Sequence, residues 1–168
     1  MEEGLNPATD KVKPAKAAAT PVPESFRQQI LSVFPCREQD IRTYSPLALA
    51  FLGDGVYSMI ARTIVVSAGN RQAAKMHNDS IRYVSAHAQA LVADAIRDLL
   101  TPEEERMLHR GRNSNPEHHA KNASLEDYLW ATGLETLCGY LYLTDRTDRL
   151  LFLLHEGMTR AGLMDGKD

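Results

Sequence analysis

A chain of 168 residues is long enough for one domain with a single core and some tail. Its 43% apolar and 24% charged residues are the balance of a soluble globular protein, which excludes fibrous and largely disordered classes. A net charge of −3 argues against a uniformly basic nucleic-acid coat but leaves room for a local basic surface. Two cysteines, Cys36 and Cys138, form neither a disulfide framework nor a metal-ligand pattern, and they suit a reducing cytoplasm. Cys138 lies in an apolar stretch and reads as an inert buried thiol.

In chain order, residues 1–23 are rich in Ala, Pro, Thr and Lys without apolar periodicity, which predicts a disordered tail. Their start carries charges of both signs and no apolar run, unlike a secretory signal. Residues 24–168 form the expected domain. FRQQILSVF, after PVPES, predicts a short amphipathic helix. Ser45-Pro46 is a cap with proline at the first helical position, where its missing N–H costs nothing. Residues 71–100 read as one long helix or two short ones. Thr101-Pro102-Glu103-Glu104 opens a helix with a capping box, and 111–124 reads as a loop. Ser124 starts another helix with acids in its first turn. Asp145 is expected to cap the last helix, which runs towards Gly162. No segment alternates as a strand does, so the predicted class is all-α.

Two segments carry the chemistry. SPLALAFLGDGVYSMIA (45–61) holds one charged residue, Asp54, and YLWATGLETLCGYLYLT (128–144) holds one, Glu135. A helix that is apolar nearly all round belongs inside the protein. A lone carboxylate there is costly unless it is paired, hydrogen-bonded or on a metal. Two such helices suggest that both acids face one wet cleft, although each acid could equally bond a buried Arg or a helix terminus. Gly53, Gly55 and Gly133 beside them allow close approach of a helix or a ligand. A membrane reading of 128–144 is weak, because the run is short and has Glu135 near its middle.

FLGDGVY (51–57) resembles the signature helix of the ribonuclease III family, and ATGLETLCGYLYL (131–143) its second catalytic helix. The closer resemblance is to the Mini-ribonuclease III branch, which lacks an appended double-stranded-RNA-binding domain. That branch shows YSPLALAFLGD, YVSA followed by QA, RGRN, and KNA ahead of the second helix. Here these are Tyr44 to Asp54, Tyr83 to Ala90, Arg110 to Asn113 and Lys121 to Ala123. Five spaced motifs in order, over about residues 26 to 160, make a specific signal.

The resemblance implies an all-α ribonuclease III endonuclease domain, a helical bundle forming a cytoplasmic homodimer. It implies Mg²⁺-dependent hydrolysis of double-stranded RNA, with Mn²⁺ as a substitute, leaving 5′-phosphate and 3′-hydroxyl ends. It further implies maturation of the precursor of large-subunit (23S) ribosomal RNA. With no second RNA-binding domain in the resemblance, specificity is expected to come either from RNA shape or from a ribosomal protein that presents the substrate, with no membrane involved. Asp54 and Glu135 are then the catalytic and metal-binding residues. Full-length family members carry glutamates where this chain has Leu47 and Ala50, and an aspartate where it has Thr132. Fewer protein ligands and more waters around the ion follow, within what Mg²⁺ accepts.

RNA contacts fall on phosphates and 2′-hydroxyls, because side chains cannot read the deep major groove. The candidates are Arg110, Arg112 and Asn113 at the helix-to-loop junction and Lys121 and Asn122 closing the loop. Arg82, His87 and Gln89 are weaker candidates. Asp127 reads as a capping or supporting acid, and Thr132 either as a hydroxyl that orients a metal-bound water or as an ordinary helix residue. The six histidines lack zinc-site spacing. The rival reading is a non-catalytic RNA-binding ribosome-assembly factor on the same fold, but such a descendant is expected to lose the carboxylates that remain here.

Overall fold

The computed structural model describes residues 24–114 and 124–164. The predicted tail, residues 1–23, and the loop residues Lys121 and Asn122 lie outside the described residues. The elements are α1 (Phe26–Val33), α2 (Pro46–Ser67), α3 (Ala73–Val84), α4 (Ala86–Ala95), α5 (Pro102–Arg112), α6 (Leu125–Leu143) and α7 (Thr147–Arg160), with single 3₁₀ turns at Ile41–Thr43 and Arg97–Leu99. No strand occurs among the described residues, as the all-α reading expected.

The local signals act as chemistry requires. Ser45 Oγ accepts from the Ala48 N–H, and Ser124 Oγ from the Asp127 N–H. Thr101 and Glu104 close a reciprocal capping box, and Ser25 and Gln28 form another at α1. The 71–100 stretch resolves into two helices broken at Ser85, whose hydroxyl caps α4 by accepting from the Ala88 N–H. The predicted cap at Asp145 is not formed. Asp145 has a φ of 55° and turns its carboxylate to Arg27 and Ser25, so α7 begins at Thr147 without a side-chain cap. A guanidinium 118 residues away outcompetes a local backbone N–H for that carboxylate.

The architecture centres on α6, which packs against α2, α5 and α4, while α7 covers α4 and the end of α6. Every residue from Ala131 to Leu141 is buried except Glu135. Leu49, Tyr57, Leu108, Leu134, Leu137, Leu141, Leu150 and Leu153 fill the core. Glycine makes these crossings close. A Cβ on Gly53 would collide with the backbone carbonyl of Glu135, and one on Gly111 with the Thr136 side chain. The helix α2 is long and apolar enough to cross a membrane by length and composition. In the fold its inner face lies on α6, and its outer face leaves Phe51 87% and Met59 49% exposed.

Candidate active site at the crossing of two helices

Gly53 rests on the Glu135 backbone, so the next residue of α2, Asp54, comes up beside the Glu135 side chain. The close approach of the two helices therefore brings together the two acids that sequence singled out. Asp54 is exposed and accepts a hydrogen bond from Ser58 Oγ at 3.3 Å. Gly55 leaves open space next to it. Glu135 is mostly enclosed. Burial first, and then the charge of Asp54, push its carboxyl up to about 8, while the Gln89 side chain works the other way. None of these three influences is cationic. Burial also raises the Tyr57 and Cys138 side chains behind Glu135, and the Tyr57 hydroxyl donates to the Tyr83 carbonyl at 3.0 Å, tying α2 to the end of α3.

Gln89 is the member that sequence reasoning placed wrongly, as a weak RNA contact. It is 2% exposed, and its Nε2 donates to the Val84 carbonyl at 3.2 Å. Its Oε1 is buried without a partner. An unmatched buried acceptor costs about 1–3 kcal/mol. The signal was available: Gln89 is a polar residue amid Ala88, Ala90, Val92 and Ala93, the same pattern that drew attention to Asp54 and Glu135.

The acids are few. Among the described residues no group of three or more His, Cys, Asp or Glu side chains could hold a metal. Thr132 is buried and donates to the Tyr128 carbonyl at 2.9 Å, as an ordinary helix residue does. Asp127 pairs with His87 at 3.0 Å, joining the starts of α4 and α6.

The RNA candidates separate. Arg110, whose Nη2 donates to the Tyr44 carbonyl at 3.3 Å, and Asn113 line an open cleft with Arg106, His109 and Ser45 between α5 and the start of α2. Arg112 has intramolecular partners. Its Nη2 donates to Glu126 at 2.9 Å, and its guanidinium lies 4.7 Å from the Trp130 ring centre. Arg97 stacks on the same ring at 5.2 Å, and Trp130 Nε1 donates to Glu126 at 2.8 Å. Lys121 and Asn122 lie outside the described residues.

Comparison with known proteins agrees with this architecture. Residues 47–146 match the Ribonuclease III domain, a span that runs from the exposed face of α2 through both acids. A Mini-ribonuclease 3 of Clostridium tetani is 41% identical over 114 residues, 67% of this chain and 76% of the relative. A Mini-ribonuclease 3 of Enterococcus faecalis is 40% identical over 126 residues, 74% of this chain and 96% of the relative. The crystal structure of a Fusobacterium nucleatum protein superposes with a TM-score of 0.65 at 26% identity, covering 70% of this chain and 94% of that one. The chain belongs to the ribonuclease III family, in its Mini-ribonuclease 3 branch.

Proposed function

We propose that this ribonuclease is an endonuclease that hydrolyses double-stranded RNA at the Asp54–Glu135 site, with a divalent cation, Mg²⁺ or Mn²⁺, and leaves 5′-phosphate and 3′-hydroxyl ends. The observation that carries the reading is the pairing itself. Two carboxylates from different helices meet without a cationic influence on Glu135, beside a buried oxygen that lacks a partner. A hard cation answers both deficits, since it takes carboxylate and amide oxygens and keeps several waters. Bound there, it supplies Lewis-acid polarisation of the phosphoryl group and activates water at neutral pH.

The chain's own residues do the rest. Asp54, on the open side, meets the scissile phosphate region first, and Glu135, enclosed and fixed by the Gly53 contact, sets the position of the site. Arg110 and Asn113, in their open cleft, hold backbone phosphates, and Lys121 and Asn122 are further RNA contacts on the strength of the KNA motif alone. Arg112, engaged by Glu126 and Trp130, ties the end of α5 to the start of α6 and is less available to phosphate than Arg110. The exposed apolar stripe of α2, Leu47, Phe51, Met59 and Val66, supports a homodimer that presents one site to each RNA strand. The substrate read from the branch is precursor large-subunit (23S) ribosomal RNA in the cytoplasm, selected by RNA shape or by a ribosomal protein that presents it.

The test is cleavage of a labelled perfect RNA duplex by wild type, Asp54→Asn and Glu135→Gln, with Mg²⁺ and with EDTA. Metal-dependent cutting by the wild type, lost in both variants while RNA binding persists, is expected. Binding without cutting by the wild type, also on the native precursor, overturns the enzyme in favour of a ribosome-assembly factor.

A further inference from the structure

The helix α4 brings one side chain to the acid pair. Its backbone cannot drift, because Ala88, Ala90, Val92 and Ala93 are buried around Gln89 and Ser85 caps the start. The His87–Asp127 pair, two residues before Gln89, clamps the same end of α4 to α6. Gln89 is therefore held against Glu135 with little freedom to turn away.

A carboxamide has two N–H donors and one carbonyl acceptor. One donation from Nε2 goes to the Val84 carbonyl, which anchors the amide. The same amide meets the Glu135 side chain where α4 packs on α6. Oε1 remains, sealed from bulk water and without a partner. Buried amide oxygens are matched in nearly all native structures, so an exception beside two carboxylates asks for a group that arrives in the site.

We propose that Gln89 is a positioning residue of the cation site: its Nε2 holds the Glu135 carboxylate, and its Oε1 supplies a neutral oxygen acceptor alongside the two acids. The inference rests on the cation reading above. It accounts for a site with only two carboxylates, because a glutamine carbonyl is an acceptable partner for a hard cation or its waters. It also accounts for a polar side chain kept in an alanine-rich, buried stretch of α4.

The experiment is Mn²⁺ binding by calorimetry, without RNA, on wild type, Gln89→Leu, Gln89→Glu and Glu135→Gln, with thermal unfolding of each in EDTA. Gln89→Leu is expected to bind Mn²⁺ about tenfold more weakly or worse, the usual scale for removing a group that supports a ligand. Gln89→Glu keeps an oxygen at that place but loses the donor that anchors it on Val84 and holds Glu135, and is expected to bind Mn²⁺ more tightly than Gln89→Leu. If Gln89→Leu does not fold, Gln89→Met, of similar length, reads the same loss. Equal Mn²⁺ affinity in wild type and a folded apolar variant, with only the unfolding temperature lowered, overturns the role of Gln89 and leaves the acid pair intact. No Mn²⁺ binding by wild type overturns the cation site, and Gln89 with it.

Discussion

Glu104 and Glu135 are both enclosed glutamates on helices packed against each other, yet their surroundings are opposite. Glu104, 1% exposed, receives Arg149 Nε at 2.9 Å and Nη2 at 2.8 Å and the Thr101 N–H at 2.9 Å. Arg149 holds its carboxyl below the usual range. Glu135 has burial and a second acid around it, and its carboxyl is pushed up to about 8. Within one fold, an acid with a cationic partner fastens α5 to α7, while an acid without one is, on the proposed reading, where a cation binds. Burial alone distinguishes neither role; the partner does.

The comparison breaks most sharply through activity. Glu135→Gln is expected to lower duplex cleavage by at least about 10³-fold, the scale of removing an electrostatic catalytic group. Its unfolding temperature in EDTA should equal or exceed that of wild type, because an unmatched buried acid has been neutralised. Duplex cleavage and calorimetric unfolding measured on one preparation check both halves. A fall in stability as large as the Glu104 variant's would mean that Glu135 is a structural acid too.

Glu104→Ala should do the reverse. It leaves Arg149 without its main partner and is expected to cost about 3–5 kcal/mol in urea unfolding, with cleavage per folded molecule near wild type. The pH dependence has a definite sign. The native carboxyl lies below its ordinary value of 4.5, so its stabilisation is present above 4.5 and is lost as pH falls through the native value. The stability gap between wild type and Glu104→Gln should therefore narrow on acidification below 4.5, and a gap independent of pH would refute the ion pair as its source.

Gly53→Ala tests whether the meeting of the acids depends on the helix crossing. The added Cβ collides with a backbone carbonyl, which cannot rotate away. A loss of about 1–3 kcal/mol, or more, is expected. Cleavage should fall beyond what the folded fraction explains, since Asp54 and Glu135 are pushed apart. Wild-type stability and cleavage together would show that α2 and α6 tolerate a wider spacing.

Arg112→Ala gives the smallest expected effect. Loss of the Trp130 stacking should cost about 1 kcal/mol of stability, the exposed Glu126 pair adding little. RNA affinity should fall less than for Arg110→Ala, whose salt slope is expected to drop by about one unit if Arg110 meets a phosphate. Equal effects of the two substitutions on the salt slope would return Arg112 to direct phosphate contact.

The sequence by itself determined the helices, most of their caps, the two acids and the family, because these are local. An apolar period of 3.6 residues, a Ser before a Pro or a lone acid in an apolar run can be read within one turn or two. Only the tertiary structure decided which polar residues have partners. Glu104 reaches Arg149 across 45 residues, and Asp145 abandons its helix start for Arg27 across 118. Periodicity gives the face a side chain occupies but not the group that faces it. Gln89 therefore looked like a surface residue until α4 was laid against α6, where the same amide stands beside Glu135.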